Sequence, residues 1–244
     1  MSEAKARPAF YALRPGGWRD YVTLLHPPYT LWHLSYVAVG AAIAPQMDWP
    51  LLGWTTLAFA LAMGLGAHAL DELRGRPLQT RIPSAMLAGL AVASIGGACA
   101  IGIAVAAART FWLLAFVGVG AFLVVAYNLE LFGGTFHGRL WFPAAWGAFP
   151  VLTAYFASAR TLDGAAFAAA AYAFASSWAQ RRLSTPVRLV RRRIVSIEGE
   201  AELDDGSRLP LDADTLAGAA EAALKALAAA VVLVAAALLL VRAR

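Results

Sequence analysis

The apolar positions of this chain fall into seven long runs that contain no Asp, Glu, Lys or Arg: residues 21–47, 49–70, 83–108, 110–129, 140–159, 164–180 and 226–241. A helix needs roughly 20 apolar residues to cross about 30 Å of hydrocarbon, because it rises about 1.5 Å per residue. The pattern therefore predicts an all-α integral membrane protein with about seven transmembrane helices. The sixth and seventh runs are short. The sixth extends back through Thr161 and Leu162, and the seventh back past Glu221 and Lys225, an i,i+4 pair on one helical face.

The charges between the runs predict an orientation. Lys5, Arg7, Arg14 and Arg19 precede span 1, and Arg74, Arg76 and Arg81 lie between spans 2 and 3. Arg139 lies between spans 4 and 5, and a dense group from Arg181 to Arg208 follows span 6. The intervening loops carry only Arg109 and Arg160, or no base at all. The positive-inside rule places the N-terminus in the cytoplasm and the C-terminus outside the cytoplasmic membrane. The first 20 residues lack an apolar core, which argues against a cleavable signal peptide.

One polar segment has a different period. Residues 193–211 carry two short alternating stretches around Asp205-Gly206, a hairpin turn signal, and predict a small cytoplasmic β-hairpin. Asp212 or Asp214 is placed to cap the last helix. The expected parts are a cytoplasmic segment 1–20, a six-span bundle 21–190, the hairpin insert 191–212 and a C-terminal membrane helix 213–244.

Composition narrows the class. Of 244 residues, 60% are apolar and 14% are charged, against roughly 45–50% and about 25% in soluble domains. A mean hydropathy of +0.63 excludes a soluble enzyme, a disordered chain and a collagen-like repeat. The single cysteine, Cys99, excludes a disulfide framework. In such a chain the net charge of +5 concerns orientation and anionic headgroups, and argues little for nucleic acid.

The residues that need explaining are His68, Asp71 and Glu72 at the end of span 2. Positions i, i+3 and i+4 share a helix face, so all three can converge. Ionisable groups near membrane depth are costly unless paired or facing a cavity. Two carboxylates and an imidazole can hold a divalent cation, and Arg74, Arg76 and Arg81 beyond them offer donors for phosphate. The grouping suits a metal-bridged diphosphate on a lipid tail. A plainer reading keeps Asp71 and Glu72 as solvated helix-end charges, with Glu72 paired to Arg76 and His68 a packed donor. Tyr127 and Asn128 close span 4 on the same side, as cavity lining or as interfacial anchors. His26-Pro27-Pro28-Tyr29 opens span 1, and His33 reads as a packed polar residue one turn further in. Segments 76–83 and 181–188 also share Leu78/Leu183 and Thr80/Thr185 at one offset, as an internal repeat does.

With these residues in place, the chain resembles the UbiA superfamily of intramembrane prenyltransferases, most closely its naphthoate branch. That family carries an N-D-x-x-D-x-x-x-D or, in this branch, N-D-x-x-D-x-x-x-G-x-D motif at the cytoplasmic end of the second helix and a second Asp-rich motif after the sixth. Residues 67–75 occupy the first position, with Asp71 and Gly75 matching. Thr80-Arg81-Ile82-Pro83-Ser84, Tyr127-Asn128, Gly138, residues 146–152 and 184–189 are similar to further family stretches. Ala67 and His68 replace the first motif's Asn and Asp, and residues 173–180 contain no carboxylate.

The resemblance implies a UbiA-like bundle and a polyprenyl or isoprenoid (di)phosphate substrate at the inner leaflet, with an unidentified acceptor. Asp71 and Glu72 are then catalytic, and His68, Asp71 and Glu72 hold Mg²⁺ at one site rather than two. Arg74, Arg76, Arg81, Tyr127, Asn128, Arg181, Arg182 and Arg188 bind substrate, the last three arginines replacing lost metal charge. The alternatives are a non-catalytic lipid- or quinone-binding protein or scaffold, and a small-solute transporter. The uninterrupted spans argue against a transporter.

Overall fold

A computed structural model describes residues 9–244; Lys5 and Arg7, and with them the first part of the segment 1–20, lie outside the described residues. Among those described, α1 is Trp18–Leu24, α2 Pro27–Ile43, α3 Trp49–Gly75, α4 Ser84–Arg109 and α5 Leu113–Asn128. The helix α6 covers 141–159, α7 is Gly164–Arg192 and α8 Ala213–Arg242. Three of them (α3, α4 and α8) are long and apolar enough to cross a membrane. A fourth qualifies if α5 and the segment Leu131–His137, bent from it by 85°, are one span.

The predicted first span is broken. His26 sits at φ 46° in the left-handed region, and Pro27 follows at the first position of α2. Proline is favoured there because its missing N–H would have no helical partner. The preceding turns fold separately as α1. The sixth and seventh runs go the other way. Asp163 caps α7 through the N–H groups of Ala165 and Ala166, and that helix continues for 29 residues through the basic segment. Residues 181–188 are therefore helical, whereas most of 76–83 is irregular. The two segments do not share a conformation, and the repeat ends at the sequence level.

Asp212 is the cap of α8, accepting from Thr215 N at 2.7 Å and Thr215 Oγ1 at 2.9 Å. Asp214 instead meets Arg191 at 2.8 Å, and Arg191 also pairs with the nearly buried Glu221 at 2.9 Å. These ion pairs fasten the polar first turns of α8 to α7. The hairpin forms as expected. Strand β1, Glu200–Glu202, pairs antiparallel with β2, Arg208–Pro210, in the register Glu200↔Pro210. Gly206 takes φ 79° in the turn, which glycine adopts without strain.

Helix α2 packs against α3, α6, α7 and α8. Its Trp32 and Tyr36 are fully buried with Val151, Ala170, Ala173 and Val231. Small residues allow this closeness: a Cβ on Gly147 would lie 2.5 Å from Ala173 O and 2.7 Å from Ser177 Oγ. At one end of the bundle Arg242 donates to the carbonyls of Ala42 and Ala44, which α2 leaves free at its C-terminus. Arg109 pairs with Asp48 at 3.0 Å.

Gly147→Ala should lower the melting temperature by the equivalent of about 1–3 kcal/mol, because α6 must move off α7. Gly218→Ala, which meets nothing within 4 Å, should leave it unchanged. Hydrogen bonds from Thr215 hold the Asp212 carboxyl below its ordinary value. Its cap is thus fully present above about pH 4 and lost as pH falls through the lowered value. Carboxyl-carbon NMR of Asp212 should show a midpoint below the usual aspartate range.

Candidate functional site

The end of the bundle that gathers α1, the 76–83 loop, the 129–140 segment and the C-terminal half of α7 is tied together by side chains. Asp20 of α1, itself buried, accepts from Arg81 N at 2.9 Å and from Gly16 N at 2.9 Å. Arg74 pairs with Glu130 at 2.8 Å. Arg76 donates to Ile82 O and to Ser84 Oγ at 2.6 and 2.8 Å.

Within this frame lies a cavity of about 300 Å³. Among the described residues Asp71 is the one carboxylate in its wall, which Arg181, Arg188 and Arg192 also line. The polar wall continues through His68, Tyr127, Asn128, Gln180 and Ser184. Arg181 donates to Tyr127 Oη at 2.7 Å and to His137 O at 3.3 Å, so its guanidinium is held beside the cavity. Arg188 donates to Ser184 Oγ at 2.9 Å. The described side chains of the chamber thus carry more positive than negative charge, which selects for an anion.

The protein has four histidines, and all of them line this cavity. His26 and His68 are stacked with ring centroids 4.1 Å apart. The strap Ala9-Phe10-Tyr11 covers one side, with Tyr11 Oη 2.9 Å from His26 Nδ1. Burial pushes the Tyr11 hydroxyl well above its ordinary value, so it stays protonated.

A second cavity, of about 90 Å³, adjoins the first and shares Met63 and Trp146 as wall residues. Its lining is apolar, from Phe59, Ile95, Cys99, Phe116, Leu123 and Phe149 among others. Both shared residues lie on π-helical stretches, Ala60–Ala67 within α3 and Ala144–Ala148 within α6. Such wide turns put the following side chains out of α-helical phase and often occur at functional sites. They are also interruptions that the sequence pattern did not announce in spans 2 and 5.

The expected three-residue face does not form. His68 and Asp71 line the cavity, but Glu72 points away from it. Glu72 is fully buried and accepts from Leu78 N at 3.0 Å, Thr80 N at 2.8 Å and Thr80 Oγ1 at 2.8 Å. Its carboxylate satisfies the backbone of the 76–83 loop, as a buried carboxylate must be satisfied by something. Nor do all the predicted arginines reach the site. Arg74 and Arg76 are engaged in the loop contacts above and do not line the cavity. Arg81 is exposed and enters the frame through its backbone. Arg182 lies over the Trp178 ring at 5.4 Å. Arg192, His137, Gln180, Tyr11 and Tyr29 line the cavity without having been singled out. The signal available for His137 was rarity, since each histidine falls near the basic end of an apolar run.

Among the described residues no group of three His, Cys, Asp or Glu side chains is placed to hold a metal ion. Magnesium binds oxygen donors, commonly one or two carboxylates plus substrate phosphates. Asp71 alone supplies the one carboxylate of that pattern but makes no protein cage. Compared with known protein families, curated proteins and solved structures, the chain matches none.

Glu72→Ala should destabilise the fold by about 3 kcal/mol, because it strands three buried donors. Asp71→Asn should change the melting temperature little. The reverse order of effects would return Glu72 to the cavity.

Proposed function

We propose that this is an integral protein of the cytoplasmic membrane with seven spans, its N-terminus and cavity end on the cytoplasmic side and its C-terminus outside. Its cavity takes the (di)phosphate head of an isoprenoid lipid, as in a divergent UbiA-type prenyltransferase. One observation carries the proposal: an electropositive chamber with Asp71, Arg181, Arg188 and Arg192 abuts an apolar chamber across Met63 and Trp146. That is the polarity profile of a phosphate on a hydrocarbon tail.

In this proposal the head lies among the three guanidinium groups, which compensate the charge that grows on the leaving phosphate. Arg181 is pre-positioned by Tyr127, so little side-chain order is lost on binding. The aromatic wall of Tyr29, Phe142 and Trp146 keeps water from the allylic carbon. Where Mg²⁺ accompanies the diphosphate, Asp71 would be the single protein carboxylate to hold it, and the ion would supply further charge neutralisation. The acceptor, membrane lipids apart, is the remaining partner.

A single carboxylate favours a second reading, a non-catalytic binder of isoprenoid lipid or quinone. Purified protein with Mg²⁺ and prenyl diphosphates of several lengths decides between them. Transfer predicts pyrophosphate release that Asp71→Asn abolishes. Binding without release, together with unchanged cellular function of Asp71→Asn, supports the binder, and neither binding nor release removes both. Arg188→Gln should weaken prenyl diphosphate binding about 10- to 100-fold, measured by calorimetry in nanodiscs.

A further inference from the structure

The hairpin between α7 and α8 has one closed edge and one open edge. Its register pairs Glu200↔Pro210, Ala201↔Leu209 and Glu202↔Arg208. Leu203 N donates to Ser207 O at 2.9 Å, and Leu211 N to Gly199 O at 3.0 Å. In an antiparallel ladder hydrogen-bonded pairs alternate with non-bonded ones. The odd-numbered residues of β1 therefore bond across the hairpin, and the N–H and C=O groups of Glu200 and Glu202 point outward. On the opposite edge Pro210 has no N–H, and its C=O accepts from Thr215 Oγ1 at 3.0 Å. That edge is closed to a further strand, whereas β1 pairs with β2 alone among the described residues. A two-stranded hairpin by itself is marginally stable in water, and an open edge is a template for another strand.

Charge decides what can use that edge. Residues 198–208 hold five acids, Glu198, Glu200, Glu202, Asp204 and Asp205, against one base, Arg208. All five acids are exposed. Of these, Glu200 alone is in a described ion pair, with Arg208 at 3.2 Å. A second copy of the hairpin would set like charges against each other, which disfavours pairing. Residues directly opposite in a ladder share a face of the sheet, so a strand with Lys or Arg at alternate positions sets its charges against Glu200 and Glu202. We infer that the open edge of β1 takes an extended basic segment of another polypeptide as a third, hydrogen-bonded strand. The acids select the partner's charge, and the unpaired backbone selects its extended form. The inference goes beyond the lipid-phosphate proposal and does not depend on it.

The test uses the full-length protein in nanodiscs of uncharged phosphatidylcholine, so that the lipid does not capture the probe. The probe is an alternating Lys-Thr octapeptide, and its control is the same peptide with a backbone N-methyl group on every lysine. Both carry the same charge, but the control cannot donate to the C=O groups of Glu200 and Glu202. Calorimetry should show the unmodified peptide binding about tenfold more tightly than the control, with an affinity that falls as salt is raised. Amide exchange at Glu200 and Glu202 should be fast in the protein alone and slow with the peptide bound. Glu202→Pro removes one outward N–H and should abolish the unmodified peptide's advantage, with exchange at Leu203 and Leu211 reporting that the hairpin persists. If that variant loses the hairpin, the two peptides on the wild-type protein still decide. Equal affinity for the two would overturn the inference, since charge alone would then bind them. Slow exchange at Glu200 and Glu202 before peptide is added would also overturn it, because the edge would already be paired, and so would a failure of either peptide to bind.

Discussion

Among the described residues, three guanidinium groups and one carboxylate share a chamber inside a largely apolar helical bundle. A low-dielectric surround makes uncompensated charge expensive, so the arrangement persists only if something offsets it. Some of the offset is built in. Arg181 is held by Tyr127 and a backbone carbonyl, and Arg188 by Ser184. In the proposed function these arginines meet the anionic head of the ligand. The segments at this end are fastened around the chamber: Asp20 ties α1 to the 76–83 loop, Glu72 ties that loop to α3, and Arg74 ties the 129–140 segment to α3.

Neighbouring carboxylates divide the labour. Asp71 and Glu72 are adjacent on α3, and on a helix adjacent residues point about 100° apart. One faces the chamber and the other the loop. Glu72 fixes the backbone of 78–80, and that loop in turn helps close the end of the bundle from which Asp71 works. The same economy appears at α8, where Arg191 pairs with both Asp214 and Glu221 and lets a helix with polar first turns dock against α7.

Much of the helical layout was legible in the runs free of charge, and the hairpin was legible in its alternation and its Asp-Gly turn. Helix ends were less so. The break at His26 depends on a left-handed residue before Pro27, and α7 runs on through Arg181 to Arg192 because arginine is a good helix former despite its charge. In the site, Asp71, Tyr127, Asn128, Arg181 and Arg188 could be found from spacing and resemblance. Glu72 could not be told from Asp71, because i,i+3 and i,i+4 positions around His68 both look convergent until the loop is in place. The two π-helical stretches left no trace in the hydropathy pattern, yet they carry Met63 and Trp146, the residues common to both chambers.

The central claim is that the arginine chamber and the apolar chamber hold one molecule, head in the first and tail in the second. A cryo-electron microscopy structure of the full chain in nanodiscs with a non-hydrolysable prenyl thiolodiphosphate tests it directly. The account predicts phosphate density among Arg181, Arg188 and Arg192, with the chain passing Met63 and Trp146 towards Phe116. Head density outside the chamber, or a chamber filled only by water with the lipid lying on the outer surface of the bundle, would contradict it.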